Sequence, residues 1–159
     1  MTRTAIVLSK VFILLMAAAG LFVQFVMLPI QAAESAADNP DLAFLRVPLL
    51  IAGVLFVFCG QVVLACVWML LSLVRREVIF TVRAFKFVNI MIGALLVAAA
   101  VIVVALLTME LTADAGEPGF FVLALGLAFG CAALALVVFV MRGLLVKASE
   151  QASYLEEVV

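Results

Sequence analysis

The sequence predicts an all-α integral membrane protein, a four-transmembrane-helix up-down bundle with N and C termini cytoplasmic. Three observations lead there. Hydrophobic residues make up 70% of the chain and charged residues 12%, against about half and about a quarter in an ordinary soluble domain. Four apolar runs are each long enough to be spans, because a helix needs roughly 20 residues to cross about 30 Å of hydrocarbon. The basic residues gather on one side of those runs, and Lys and Arg set orientation because they resist translocation.

The first run, Leu8–Ile30, follows Arg3 and contains Lys10. Its apolar stretch from Val11 to Ile30 exceeds the roughly 7–15 residues of a secretory signal core. A cleavage site near Ala32-Ala33 would also place Gln31 where a small residue is required. A retained span is expected. The loop that follows is broken by "DNPD" (Asp38–Asp41), which is turn chemistry.

Val47–Val74 is the second span, with Pro48 in its first turn, where a missing N–H removes no helical bond. Phe87–Met109 is the third and Phe120–Val146 the fourth, separated by a second turn, "GEPG" (Gly116–Gly119). Short loops make neighbouring helices antiparallel, and backbone in lipid must satisfy its own polar groups. One membrane domain, 1–159, is therefore expected, with spans at about 8–30, 47–74, 87–109 and 120–146. Residues 147–159 form a short cytoplasmic tail. Leu145, Ala148, Ala152, Leu155 and Val159 recur there at helical spacing, with Glu150, Gln151, Glu156 and Glu157 elsewhere on the wheel. That pattern suits a helix end resting on its own bundle, or a docking helix for a cytoplasmic partner.

Orientation follows from the charges. Arg3, Lys10, Arg75, Arg76, Arg83, Lys86, Arg142 and Lys147 fall on one side, and Arg46 alone on the other. The opposite loops are acidic, with Glu34, Asp38, Asp41, Glu110, Asp114 and Glu117. A multi-pass protein of the cell (plasma) membrane is implied, with the middle hairpin in the cytoplasm.

That hairpin, "RREVIFTVRAFKF" (Arg75–Phe87), interleaves charge with Val, Ile and Phe. Thr81 can cap the helix entering span 3, by accepting from a free N–H of the first turn. The apolar residues, Phe80 among them, can rest at the acyl boundary while Arg83 and Lys86 reach headgroups. Arg75, Arg76, Phe80, Thr81, Arg83, Lys86, Arg142 and Lys147 are thus the candidate contacts for a partner or for lipid. Four basic residues in so short a hairpin make a membrane anchor, not a nucleic-acid site.

Residues for chemistry are scarce. The chain has no histidine, hence no imidazole for metal, haem or a proton relay. No Asp or Glu falls inside a span, where coupled transporters and pumps place their ionisable group. Cys59, Cys66 and Cys131 lie in hydrocarbon, far from the water and positive charge that form a thiolate, and read as small packing residues. Gln24, Gln61 and Asn89 are the candidate intramembrane polar contacts, serving as interhelical bonds or as contacts to a small ligand or headgroup. Gly126 and Gly130 ("GLAFG"), with Ala124, Ala128 and Ala132 two residues out of phase, suit close helix packing within the chain or a homo-oligomer. A shift of 72 residues lays Cys59 on Cys131 and Arg75 on Lys147. Such a match fits two parallel hairpins, and apolar helices also align this way by chance.

The segment "VIFTVRAFKFVNIM" (Val78–Met91) resembles the centre of a bacterial family of four-span membrane proteins called domain of unknown function 2975. There, a Phe followed by Ser or Thr precedes a helix entering the third span. The end, "VVFVMRGLLVKASEQASYLEEVV" (Val137–Val159), is similar to that family's closing segment. The resemblance covers nearly the whole chain in span layout. It brings no catalytic or ligand residue. It implies a setting beside a small helix-turn-helix regulator, although the family's usual tail is more strongly charged.

The expected role is that of a non-catalytic regulatory or accessory subunit contacting a cytoplasmic partner, with no cofactor and no direct contact to nucleic acid. The alternative is a small transporter or channel subunit for an apolar or zwitterionic solute, which needs oligomerisation or a cavity lined by Gln61, Gln24 and Asn89. An enzyme acting on lipids lacks a nucleophile–base pair.

Overall fold

The computed structural model describes residues 3–38, 40–74, 82–113 and 118–157. Among them every element is helical. The first span is α1 (Arg3–Phe22), a π-helical turn (Val23–Met27) and α2 (Leu28–Asp38), joined end to end. A 3-10 turn (Pro40–Leu45) leads into α3 (Arg46–Val74). The remaining helices are α4 (Val82–Ala113) and α5 (Pro118–Glu157). Each of the four apolar runs lies inside one of these four helical rods, all of which are long and apolar enough to cross a membrane.

The π turn has a local cause. Pro29 has no N–H for the carbonyl four residues back, and its ring would clash with that carbonyl. The N–H of Leu28 instead bonds to the carbonyl of Val23, one residue further away than in an α-helix. That widened turn lets the chain pass the proline and continue as α2. Pro118, by contrast, opens α5 at the position where a proline is tolerated.

Helix ends settle the antiparallel arrangement. Residues of α2, the start of α3, the end of α4 and the start of α5 share one cavity. At the other end Lys10 of α1 meets Ser72 near the end of α3. The packing runs in a chain, with α1 and α2 on α3, α3 on α4, and α4 on α5. Among the described residues no comparable contact joins α2 to α5. The bundle is therefore open along the seam between its first and last spans.

Its core is thin and built of small side chains. Cys59 and Cys66 of α3, Ala98 of α4, and Ala128 and Ala135 of α5 are buried, together with Ile13, Leu45 and Leu106. Lipid tails are as apolar as leucine, so helices in a membrane are drawn together by close packing, which small residues permit. The large apolar residues face outward, as with Leu8, Phe25, Val104, Val122 and Phe129. The two cysteines of α3, seven residues apart, occupy the packed face.

The small residues of α5 divide by face. Ala128 is buried and Ala124 lines the cavity, whereas a Cβ placed on Gly126 or Gly130 would meet nothing within 4 Å. Packing within the chain uses the alanines and leaves the glycine pair on the outer face.

Candidate functional site

Three polar features stand out from this apolar body. The first joins α3 to the π turn. Gln61 Nε2 donates to Gln24 Oε1 at 3.1 Å, and Gln24 lies within Val23–Met27. A Cβ on Gly20 would come within 3.4 Å of Gln61 Nε2, so the glycine leaves room for the amide beside α1. Two of the three intramembrane polar residues expected to find partners are thus each other's partner. Asn89 is exposed on α4 and takes no part in that bond.

The second feature lies at the basic end of the molecule. Lys10 Nζ donates to Ser72 Oγ at 3.1 Å and stands 5.0 Å from the centroid of the Trp68 ring. The Ser72 hydroxyl donates in turn to the Trp68 carbonyl at 2.9 Å, the bond to the carbonyl four residues back that a serine within a helix can make. The ammonium of an apolar span is thereby held by a hydroxyl and an aromatic face, while its stem covers apolar surface. In the sequence Lys10 stands out only as a topology charge. The signal for its partners is the spacing of Trp68 and Ser72, four residues apart and so on one face of α3.

At the same end, Lys86 and Lys147 are exposed and Arg142 is half-buried. Arg142 Nε is enclosed without a hydrogen-bond partner among the described residues. Its other guanidinium nitrogens are the groups that a snorkelling stem would present to phosphate. Arg83 belongs to the first turn of α4, which begins immediately after Thr81. Arg75, Arg76, Phe80 and Thr81 lie outside the described residues.

The third feature is a cavity of about 570 Å³ at the acidic-loop end, walled by α2, α3, α4 and α5. Its depth is apolar, with Leu28, Phe56, Ile102, Leu106 and Leu127. Gln31, Ser35 and Arg46 supply polar groups, and among the described residues Arg46 is the only charged one in the lining. α2 approaches α3 closely at its side, where a Cβ on Gly53 would meet Leu28 Cδ2 at 3.1 Å. Gln24, Gln61 and Asn89 are not in this lining. This cavity is walled by four helices, and among the described residues none of the candidate site residues lines it. The available signal was small residues at one depth on several helices, namely Ala32, Ala52, Gly53, Ala105 and Ala124.

Among the described residues no cluster of three or more His, Cys, Asp or Glu could hold a metal ion.

The family described as "Protein of unknown function (DUF2975)" matches residues 30–159. No curated protein and no solved structure matches the chain. The matched stretch contains α3, α4 and α5 whole, and every residue lining the cavity except Leu28. The chain belongs to the DUF2975 family and is a multi-pass, helical membrane protein.

Proposed function

We propose that this DUF2975 member is a non-catalytic regulatory or accessory protein of a bacterial inner membrane. Both termini and the Arg75–Lys86 hairpin lie in the cytoplasm, where they contact a soluble partner. The observation that carries this reading is α5, a single helix of 40 residues. Forty residues of helix are about 60 Å long, roughly twice the hydrocarbon thickness. α5 starts at Pro118, borders the cavity from Phe120 and runs without a break past Arg142 and Lys147 to Glu157. A rod of this kind carries its tail out of the lipid already helical, so a partner does not have to order it on binding. The helical spacing of apolar residues in the sequence of this tail suits such contact. The small helix-turn-helix regulator implied by the family resemblance is the candidate partner.

The transport alternative draws its support from the cavity. That cavity occupies one half of the bundle, and the packed residues Cys59, Ala98 and Ala135 lie deeper along the same helices. Support for a continuous route is therefore weaker than support for a docking role.

The test is a pull-down from native membranes with an Arg83→Glu/Lys86→Glu variant. Under the proposal this variant inserts normally and loses its soluble partner. Retention of the partner at the wild-type level removes the hairpin from the account.

A further inference from the structure

We infer that the cavity is a site for an anionic phospholipid of the surrounding leaflet, with one acyl chain between α2 and α5 and its phosphate on Arg46. This goes beyond the docking role and stands without it.

Three properties of the cavity point to that occupant. The first is its gradient of polarity. Along α2 the lining residues Leu28, Gln31, Ala32 and Ser35 share one face, and the polar pair comes after the leucine, toward the acidic-loop end. Along α3 the order is mirrored, with Arg46 at the helix start and Phe56 deeper. Gln31, Ser35 and Arg46 therefore sit at headgroup level, above a floor of leucine, isoleucine and phenylalanine. An amphiphile has the same layout.

The second property is length. Ten residues separate Arg46 from Phe56, which is about 15 Å of helix and half of a roughly 30 Å hydrocarbon core. One acyl chain of one leaflet covers that depth. The volume of about 570 Å³ also falls inside the roughly 300–1,000 Å³ of sites that enclose small ligands.

The third property is access and charge. Because α2 packs on α3 while α5 packs on α4, the seam between α2 and α5 opens sideways to the membrane. A phospholipid can slide one chain through it without leaving the bilayer. Arg46 faces no carboxylate partner among the described residues, and it is the lone charge in the lining. A guanidinium binds phosphate through paired donors, and the amide of Gln31 and hydroxyl of Ser35 add neutral donors beside it. Among the described residues the lining holds no carboxylate, so a zwitterionic headgroup would bring a second cation beside Arg46.

The experiment is native mass spectrometry of the full-length protein in non-ionic detergent. It is titrated separately with palmitoyl-oleoyl phosphatidylglycerol, the matching phosphatidylcholine, and oleate. The expected result is one retained phosphatidylglycerol, bound at least about tenfold more weakly by Arg46→Gln, the scale of a charge-assisted hydrogen bond. Ala124→Phe, which fills the cavity from α5, should abolish the adduct. Val122→Phe, at an outward position of the same helix that is 74% exposed, should keep it. Equal binding of the two phospholipids with no effect of Arg46→Gln would overturn the proposal, as would displacement of phosphatidylglycerol by oleate. If Ala124→Phe does not fold, the wild-type protein is labelled with phosphatidylglycerol carrying a photoreactive acyl chain. Labels confined to the α2 and α5 walls support the site, and labels spread over all lipid-facing helices refute it.

Discussion

The hydrogen bond between Gln24 and Gln61 allows a prediction in which the sign of a double substitution matters more than the size of a single one. Gln61→Leu removes the donor of the 3.1 Å bond and leaves the Gln24 carbonyl without its partner in an apolar setting. Such bonds between helices in membranes contribute roughly 0.6–2 kcal/mol, so destabilisation of about 1 kcal/mol is expected from Gln61→Leu and similarly from Gln24→Leu. Replacing both removes the unpaired group as well as the bond, which leaves the double variant near or above the stability of either single one. Gly20 leaves ordinary contact distance to Gln61, so the leucine at 61 fits without a severe clash. The assay is unfolding in mixed micelles by increasing dodecyl sulfate. The fluorescence of Trp68, the sole tryptophan, reports the separation of α1 from α3. Independent sites add within about 0.3–0.5 kcal/mol. A coupling inside that scatter would refute the claim that these amides hold the two helices together.

Other outcomes follow from the same packing. Lys10→Leu should destabilise by about 1–2 kcal/mol through loss of the Ser72 bond and the Trp68 ring contact, and should change the Trp68 emission spectrum. Pro29→Ala restores an N–H and removes the reason for the π turn. The coupling between Gln24 and Gln61 should then fall, as read by repeating the double-substitution cycle in that background. Ala135→Leu places bulk at a position only 2% exposed and should destabilise by about 1–3 kcal/mol. Gly126→Leu, which meets open space, should leave the unfolding midpoint unchanged.

The architecture was legible because it rests on continuous apolar length, a signal that survives without knowledge of packing. Four runs of the required length correspond to four helical rods, and the Asp38–Asp41 turn falls where α2 ends. The Gln24–Gln61 pairing was legible in kind, since few polar groups are available in the spans for one another. The open seam was not. An up-down layout written from loop lengths implies closure, but closure depends on which faces carry small residues at matching depth. Those residues place α5 on α4 and leave α2 to pack on α3. Arg46 was visible only as an exception to the charge asymmetry, because the cavity it lines with Gln31 and Ser35 is assembled across a helix boundary. The π turn had its signal in Pro29, inside an otherwise uniform apolar run.

Under the proposed function, a membrane body built on these helices presents a cytoplasmic surface to a soluble protein. Amine-reactive crosslinking of the tagged full-length protein in native membranes, followed by mass spectrometry, tests it most directly, because Lys86 and Lys147 are both exposed. The expected result is a soluble DNA-binding protein joined to one of these two lysines. Crosslinks only between copies of the chain itself would contradict it and favour a self-assembling transporter.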